Sequence, residues 1–338
     1  MRTLTTTNRL RLPPLSLAIL AAIAGCGGTS GDSACADSAA ARCAQRATCS
    51  NNVGITKTFG DMTTCLAREK QSCINALAAK GTGNTPDRVE QCVAALKTES
   101  CADYFAGNVP AACVNTGTLA DGAGCAFAGQ CSSTYCTGLT NAACGTCGEA
   151  VASGGDCTND GTCARGQTCF TTPGSMGMAM SCITEGVAGA SCTRSMPCAT
   201  GLSCVGMMTM GASGTCMPAG TAIGAACDPA TRTAPGCDRS VGLFCNATSK
   251  TCTAVTFAAN GAACGVGSDG NFIDCTAGAC YGSVLGGPMP TMGTCKADAA
   301  DGAACDTTNG PGCINPARCV TASGSTAGTC QLSDASSC

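Results

Sequence analysis

The chain is 338 residues long, carries a formal net charge of −3, and contains neither histidine nor tryptophan. That composition excludes a Ser-His-Asp or Cys-His site within these residues, and the lack of basic clustering excludes a nucleic-acid footprint. With 35 cysteines and only 3% aromatics, a large ordinary core is excluded too, and a disulfide scaffold in an oxidising compartment takes its place. A cytosolic zinc protein, the other use of many cysteines, fits poorly with irregular spacings and no histidine.

Residues 1–25 read as a leader. Arg2, Arg9 and Arg11 form a positive start, and Leu15 to Ala24 is a ten-residue apolar run, too short to span a membrane as a helix. The run ends Ile23-Ala24-Gly25-Cys26. An aliphatic residue, two small residues and then cysteine resembles the lipobox of bacterial lipoproteins. That resemblance implies cleavage before Cys26, diacylation of its thiol and acylation of the new amine, hence stable anchoring by several acyl chains. Gly27, where Asp would signal inner-membrane retention in the enteric sorting rule, implies the outer membrane. The alternative is an ordinary signal peptide cut nearby. Residues 26–33 are then a lipidated, flexible polar tether.

Residues 34–113 carry eight cysteines on helical spacing. Cys35, Ala39, Cys43 and Ala47 fall on one face. Met62, Cys65, Leu66, Cys73 and Leu77 make a second stripe with Asp61 placed to cap it, and Val89, Cys92, Val93 and Leu96 make a third behind Thr85-Pro86-Asp87. Cysteines on inward faces can staple helix to helix, so this stretch reads as an all-α, cysteine-stapled module.

From residue 120 to 338 one pattern is written six times. Each copy opens Gly-x-x-Cys, at Gly122/Cys125, Gly154/Cys157, Gly189/Cys192, Gly224/Cys227, Gly261/Cys264 and Gly302/Cys305. Three more cysteines follow, ending at Cys147, Cys182, Cys216, Cys252, Cys295 and Cys330, and the first cysteines are spaced by 32, 35, 35, 37 and 41 residues. This is an array of small disulfide-stapled units. The opening glycine predicts a tight turn that delivers the first cysteine. The 6 to 14 residues between third and fourth cysteines read as a small hairpin or loose loop. Tyr135, Phe170, Phe244 and Tyr281 sit beside third cysteines and are candidates for a miniature core over the bridges. Such units are too small to stand on burial alone, whereas a bridge closing about 12 residues is nominally worth about 3 kcal/mol. The fold class is therefore small and disulfide-rich: an N-terminal helical module followed by six four-cysteine loop and hairpin repeats with little regular secondary structure.

Four cysteines allow three pairings. The pattern Gly-x-x-Cys-x5-Cys-x5-Cys, seen as Gly154–Cys169 and Gly189–Cys204, with Gly-Thr-Cys at Cys147, Cys216, Cys295 and Cys330, resembles bacterial lipoproteins with Dickkopf N-terminal-like or EGF-like cysteine-rich repeats. The EGF-like resemblance implies first-to-third and second-to-fourth bonds, and an extracellular interaction module. With Cys26 lipidated, eight cysteines in the helical module and four in each repeat, Cys144 and Cys338 are left over. Their pairing would require the array to curl back. A rod of six units of ~20 Å each would hold them on the order of 100 Å apart. Otherwise Cys144 displaces a repeat partner or Cys338 bonds another chain.

Other chemistry is thinner. Cys144-Gly145-Thr146-Cys147 has redox-dithiol spacing. Met176, Met178, Met180, Met207, Met208, Met210, Met289 and Met292 lie in loops that could hold Cu(I) or form an adaptable surface. Asp269, Asn271 and Asp274 could ligate calcium, although the spacing is not that of an EF-hand loop. Asn246-Ala247-Thr248 is a glycosylation sequon. The expectation is a non-enzymatic, cofactor-free binding or structural surface of the envelope. It is held to the membrane through Cys26, and its partner is a protein or polysaccharide. Periplasmic copper handling through the methionine loops is the first alternative, and thiol-disulfide redox at Cys144 and Cys147 the second.

Overall fold

The computed structural model describes residues 29–338, except 159–160, 175–176, 194–195, 208–211, 229–232 and 285–290. The leader and Cys26 lie outside the described residues. All 34 cysteines from Cys35 to Cys338 are paired, in 17 disulfides.

Five helices come first: α1 Gly31–Cys49, α2 Val53–Phe59, α3 Met62–Ala78, α4 Pro86–Leu96 and α5 Cys101–Ala106. Short polar side chains start four of them by accepting an otherwise orphaned N–H: Ser30 from Ser33, Asp61 from Thr64, Thr85 from Arg88 and Ser100 from Asp103. Helix α1 thus begins inside the stretch expected to be a tether. Cys35–Cys73 and Cys43–Cys65 bind α1 to α3, Cys49–Cys101 binds α1 to α5, and Cys92–Cys113 ties α4 to the short turn Ala111–Cys113 that follows α5.

The expected stripes of α1 and α4 are buried: Cys35, Ala39 and Cys43, and Val89, Cys92, Val93 and Leu96. The stripe of α3 is only partly so, because Met62 and Leu66 are each 37% exposed. The apolar core around Cys43 and Cys65 is completed instead by Ile55 and Phe59 of α2. Arg46 lies over the Phe59 ring at 5.0 Å.

Each repeat is built by the same local logic. Its opening glycine adopts a left-handed φ of 78–86°, which L side chains resist. That glycine N–H donates to the carbonyl of the fourth cysteine at 2.7–2.8 Å, and the fourth cysteine N–H donates back to the residue after the glycine at 2.8–3.0 Å. Third and fourth cysteines face each other across an antiparallel hairpin in all six units, as at Cys136↔Cys147 and Cys319↔Cys330. Their sulfurs bond elsewhere. First pairs with third and second with fourth throughout, from Cys125–Cys136 and Cys131–Cys147 to Cys305–Cys319 and Cys313–Cys330.

These crossed bridges are the core. In the first repeat Cys125, Cys131, Cys136 and Cys147 cluster with only Leu119 and Leu139 packed on them, and the fifth and sixth repeats have the same arrangement. The bridges fill so small an interior that little room remains for rings. Three of the four aromatics beside third cysteines therefore turn to the next repeat. Tyr135 lies under the Arg165 guanidinium at 4.5 Å, and Phe244 stacks on Phe272 at 4.9 Å. Tyr281 packs against Gly310, where an added Cβ would come within 2.2 Å of the ring.

The array does not run out as a rod. It bends around the helices, which act as a hub. The first repeat docks on the loop between α3 and α4, where Gly83 N–H donates to the Gly129 carbonyl at 2.7 Å and Gln130 Nε2 to the Lys80 carbonyl at 2.8 Å. In the second, Gly166 lies against the Asn108 side chain. Gly242 of the fourth sits against Val53. In the fifth, Ala277 N–H donates to the Thr56 carbonyl at 3.0 Å and Asp274 pairs with Lys57 at 2.7 Å. The sixth meets Arg68, and the chain after it passes Asn75, whose Nδ2 donates to the Ser333 carbonyl at 2.9 Å. The sixth repeat also meets the first: Thr321 N–H donates to the Asn141 carbonyl, Arg318 Nη1 donates to the Leu139 carbonyl, and Cys144 is bonded to Cys338. Of the outcomes left open for these two cysteines, ring closure is the one adopted.

Candidate functional site

The residues singled out from sequence fall in very different places. Cys26 lies outside the described residues, as do Met176, Met208, Met210 and Met289. Of the other methionines, Met292 is 39% exposed. Cys144 and Cys147, three positions apart, are not bonded to each other: Cys147 pairs with Cys131 and Cys144 with Cys338.

The trio proposed for calcium is used up by structure. Asp269 accepts from the Asn271 N–H at 3.0 Å and from Asn271 Nδ2 at 2.8 Å, and the first of these holds its carboxyl below the usual range. Asp274 points away, to Lys57 Nζ and to the Cys275 N–H. Asn246, the sequon asparagine, is buried; its Nδ2 donates to the Asp269 carbonyl at 3.0 Å and to Asn271 Oδ1 at 3.1 Å. A sequence scan cannot distinguish this use of Asn246, because both partners lie in the following repeat.

The described residues bring other groups together that no motif announced. A cleft of about 250 Å³ lies between α1, α3, the start of α4 and the first repeat, with Arg42, Glu69, Asn84 and Phe127 on its walls. A smaller space of about 180 Å³ shares Arg42 and Glu69 and reaches Tyr104 and Glu99. Each space sets positive and negative side chains beside one aromatic ring, Phe127 in the first and Tyr104 in the second, which suits recognition of a small polar ligand. On another side, α1 and α4 form a groove of about 430 Å³ floored by Ala40, Ala41, Ala44, Val93 and Leu96, with Asp37, Lys97 and Glu99 among its lining residues. Burial first, and the neighbouring Asp37 second, hold the Glu90 carboxyl of α4 above its usual range.

The seam where the ring closes is the third feature. Cavities of about 410 and 530 Å³ both reach Arg318. Its guanidinium donates to Leu139 and to Ser333 Oγ, and burial lowers its pKa. In the neighbouring junction between fifth and sixth repeats, burial raises the Asp298 carboxyl to about 6.

No family model, no curated protein and no solved structure matches the chain. No helix among the described residues is long and apolar enough to cross a membrane.

Proposed function

We propose that this protein is a lipid-anchored component of a bacterial envelope, placed at the outer membrane, whose disulfide-stapled ring and helical hub present a binding or structural surface to a protein or polysaccharide partner. The observation that supports the reading best is the distribution of stabilising bonds. They fix the backbone of every repeat while leaving the hub cleft at Arg42 and Glu69 open to solvent and floored by helices that are themselves stapled. A rigid frame around a polar cleft lowers the ordering cost of binding. The anchor follows from the lipobox resemblance at Ile23–Cys26.

Two measurements test this. Cys26→Ser should leave the detergent phase and the membrane fraction, whereas wild type remains there; a variant that still partitions with membranes removes the anchor. The lipid-free Cys26→Ser protein, used as bait against envelope and extracellular material, should retain a partner that Arg42→Ala/Glu69→Ala does not. Equal retention by both proteins removes the cleft from the binding surface.

A further inference from the structure

Sixteen of the disulfides are local staples, each inside the helical module or inside one repeat. Cys144–Cys338 is different on three independent counts. It spans 194 residues and joins a loop of the first repeat to the segment after the sixth. Cys338 is the one exposed cysteine among the described residues, the rest being buried or half-buried. Neither partner belongs to a strand: Cys144 directly precedes the strand Gly145–Cys147, and Cys338 follows the short turn Ala335–Ser337. In every repeat, by contrast, a hairpin holds the backbone of third and fourth cysteines in register, and the opening glycine clamps the fourth.

From this we infer that Cys144–Cys338 is an exchange site for external dithiols, and that its reduction unlatches the ring without unfolding the units. Thiol–disulfide exchange needs in-line access of a thiolate to one sulfur. Exposed Cys338 offers that access more readily than the repeat cysteines, which are buried or half-buried. The step balances. A thiolate of a dithiol protein attacks Cys338 Sγ, a mixed disulfide forms, and Cys144 leaves as thiolate and takes up a proton. The second thiol of the reductant then attacks its own half of the mixed disulfide and releases Cys338 as a thiol. Two electrons pass to the Cys144–Cys338 pair, and the dithiol becomes a disulfide. The reverse reaction, with an oxidised dithiol protein, closes the latch.

What remains at the seam after reduction is sparse. Arg318 still bonds Leu139, and the Thr321 N–H still bonds the Asn141 carbonyl. Arg318 lines both seam cavities, and Leu139 and Met180 line the larger one, so opening further exposes these half-buried side chains to a partner. The reduced protein therefore offers a surface that the oxidised one partly covers. This surface is separate from the hub cleft, and the inference stands without the anchor or the cleft reading.

The experiment is graded reduction of the folded wild-type protein by a thioredoxin-type dithiol protein, with thiols trapped by an isotopic alkylating label and read by peptide mass spectrometry. Label should appear at Cys144 and Cys338 at a reductant dose about tenfold below that needed for any other cysteine. In the same window the backbone N–H of Thr321 should exchange with deuterium faster, while the amides of the repeat hairpins, such as that of Cys147, keep their protection. Label appearing first at another pair, or at all cysteines together, overturns the exchange site. Selective label with unchanged exchange at Thr321 overturns the unlatching. The Cys144→Ser/Cys338→Ser variant gives a second reading without reductant: its Thr321 exchange should match the reduced wild type, and a value equal to the oxidised protein counts against the latch.

Discussion

Arg68 on α3 and Asp301 in the sixth repeat face each other fork to fork, Nη1 to Oδ2 at 2.6 Å and Nη2 to Oδ1 at 2.8 Å. The same guanidinium also donates to the Ile314 and Asn315 carbonyls. One planar side chain therefore ties the hub to the far end of the array, across more than two hundred residues of chain. Arg68→Ala should lower stability by about 1–3 kcal/mol, since it removes charge-assisted bonds and leaves Asp301 and two carbonyls without their donor. Arg68→Lys should recover little of that, because an ammonium cannot reproduce the fork. Denaturant midpoints of the three proteins, with every disulfide intact, check this.

The glycines of a repeat do different jobs, and alanine scanning should separate them. Gly189 opens the third repeat at a φ of 82° with nothing near an added Cβ. Gly189→Ala then costs only the left-handed backbone penalty, about 1–2 kcal/mol. Gly328 sits in the last hairpin, where a Cβ would lie 2.1 Å from the Val320 carbonyl oxygen. Gly328→Ala must break that pairing, so it should lose more stability and scramble the neighbouring bridges. Thermal melts with non-reducing peptide maps distinguish the two outcomes.

Asp298 gives a pH signature. Its folded pKa of about 6 stands above the ~3.9 of an unfolded aspartate. Between those values the native state holds more protons, so this group makes stability fall as pH rises from about 4 to about 6. Asp298→Asn should stabilise the protein at pH 7 by at most about 1–2 kcal/mol, given that the group is only half-buried and partly screened. At pH 4 the variant and wild type should nearly coincide. Parallel unfolding curves at the two pH values measure the difference, and equal gains at both would contradict the assignment.

Phe244 and Phe272 couple the fourth and fifth repeats through a stacked pair at 4.9 Å, with Arg239 over both rings. Phe272 is buried, so Phe272→Ala should cost about 3 kcal/mol. A double-mutant cycle with Phe244→Ala should return a coupling of about 0.5–1.5 kcal/mol. Zero coupling would mean that the rings serve their own units, as their position beside the cysteines suggests at first sight.

The chemistry of the units was open to reading in the residues themselves. Gly-x-x-Cys implies a tight turn before the first cysteine, the lack of large side chains implies bridges as the core, and capping residues at Asp61 and Thr85 imply helix starts. All of these are local, fixed by neighbours within a few positions. Pairing inside a repeat was narrowed only to three choices by counting, and the order adopted is the one the EGF-like resemblance implied. The tertiary structure decided the rest. A repeat period carries no information about curvature, so it could not show that Asp274, Asp301 and Ala277 each find the hub. Nor could spacing reveal that Tyr135, Phe244 and Tyr281 turn outward to neighbours, because the side from which a ring is covered depends on where the next unit sits. Ring closure has the same cause. Cys144 and Cys338 are odd ones out by arithmetic, but only the bending of six units around five helices brings their Cα atoms to 5.5 Å, within the reach a disulfide requires.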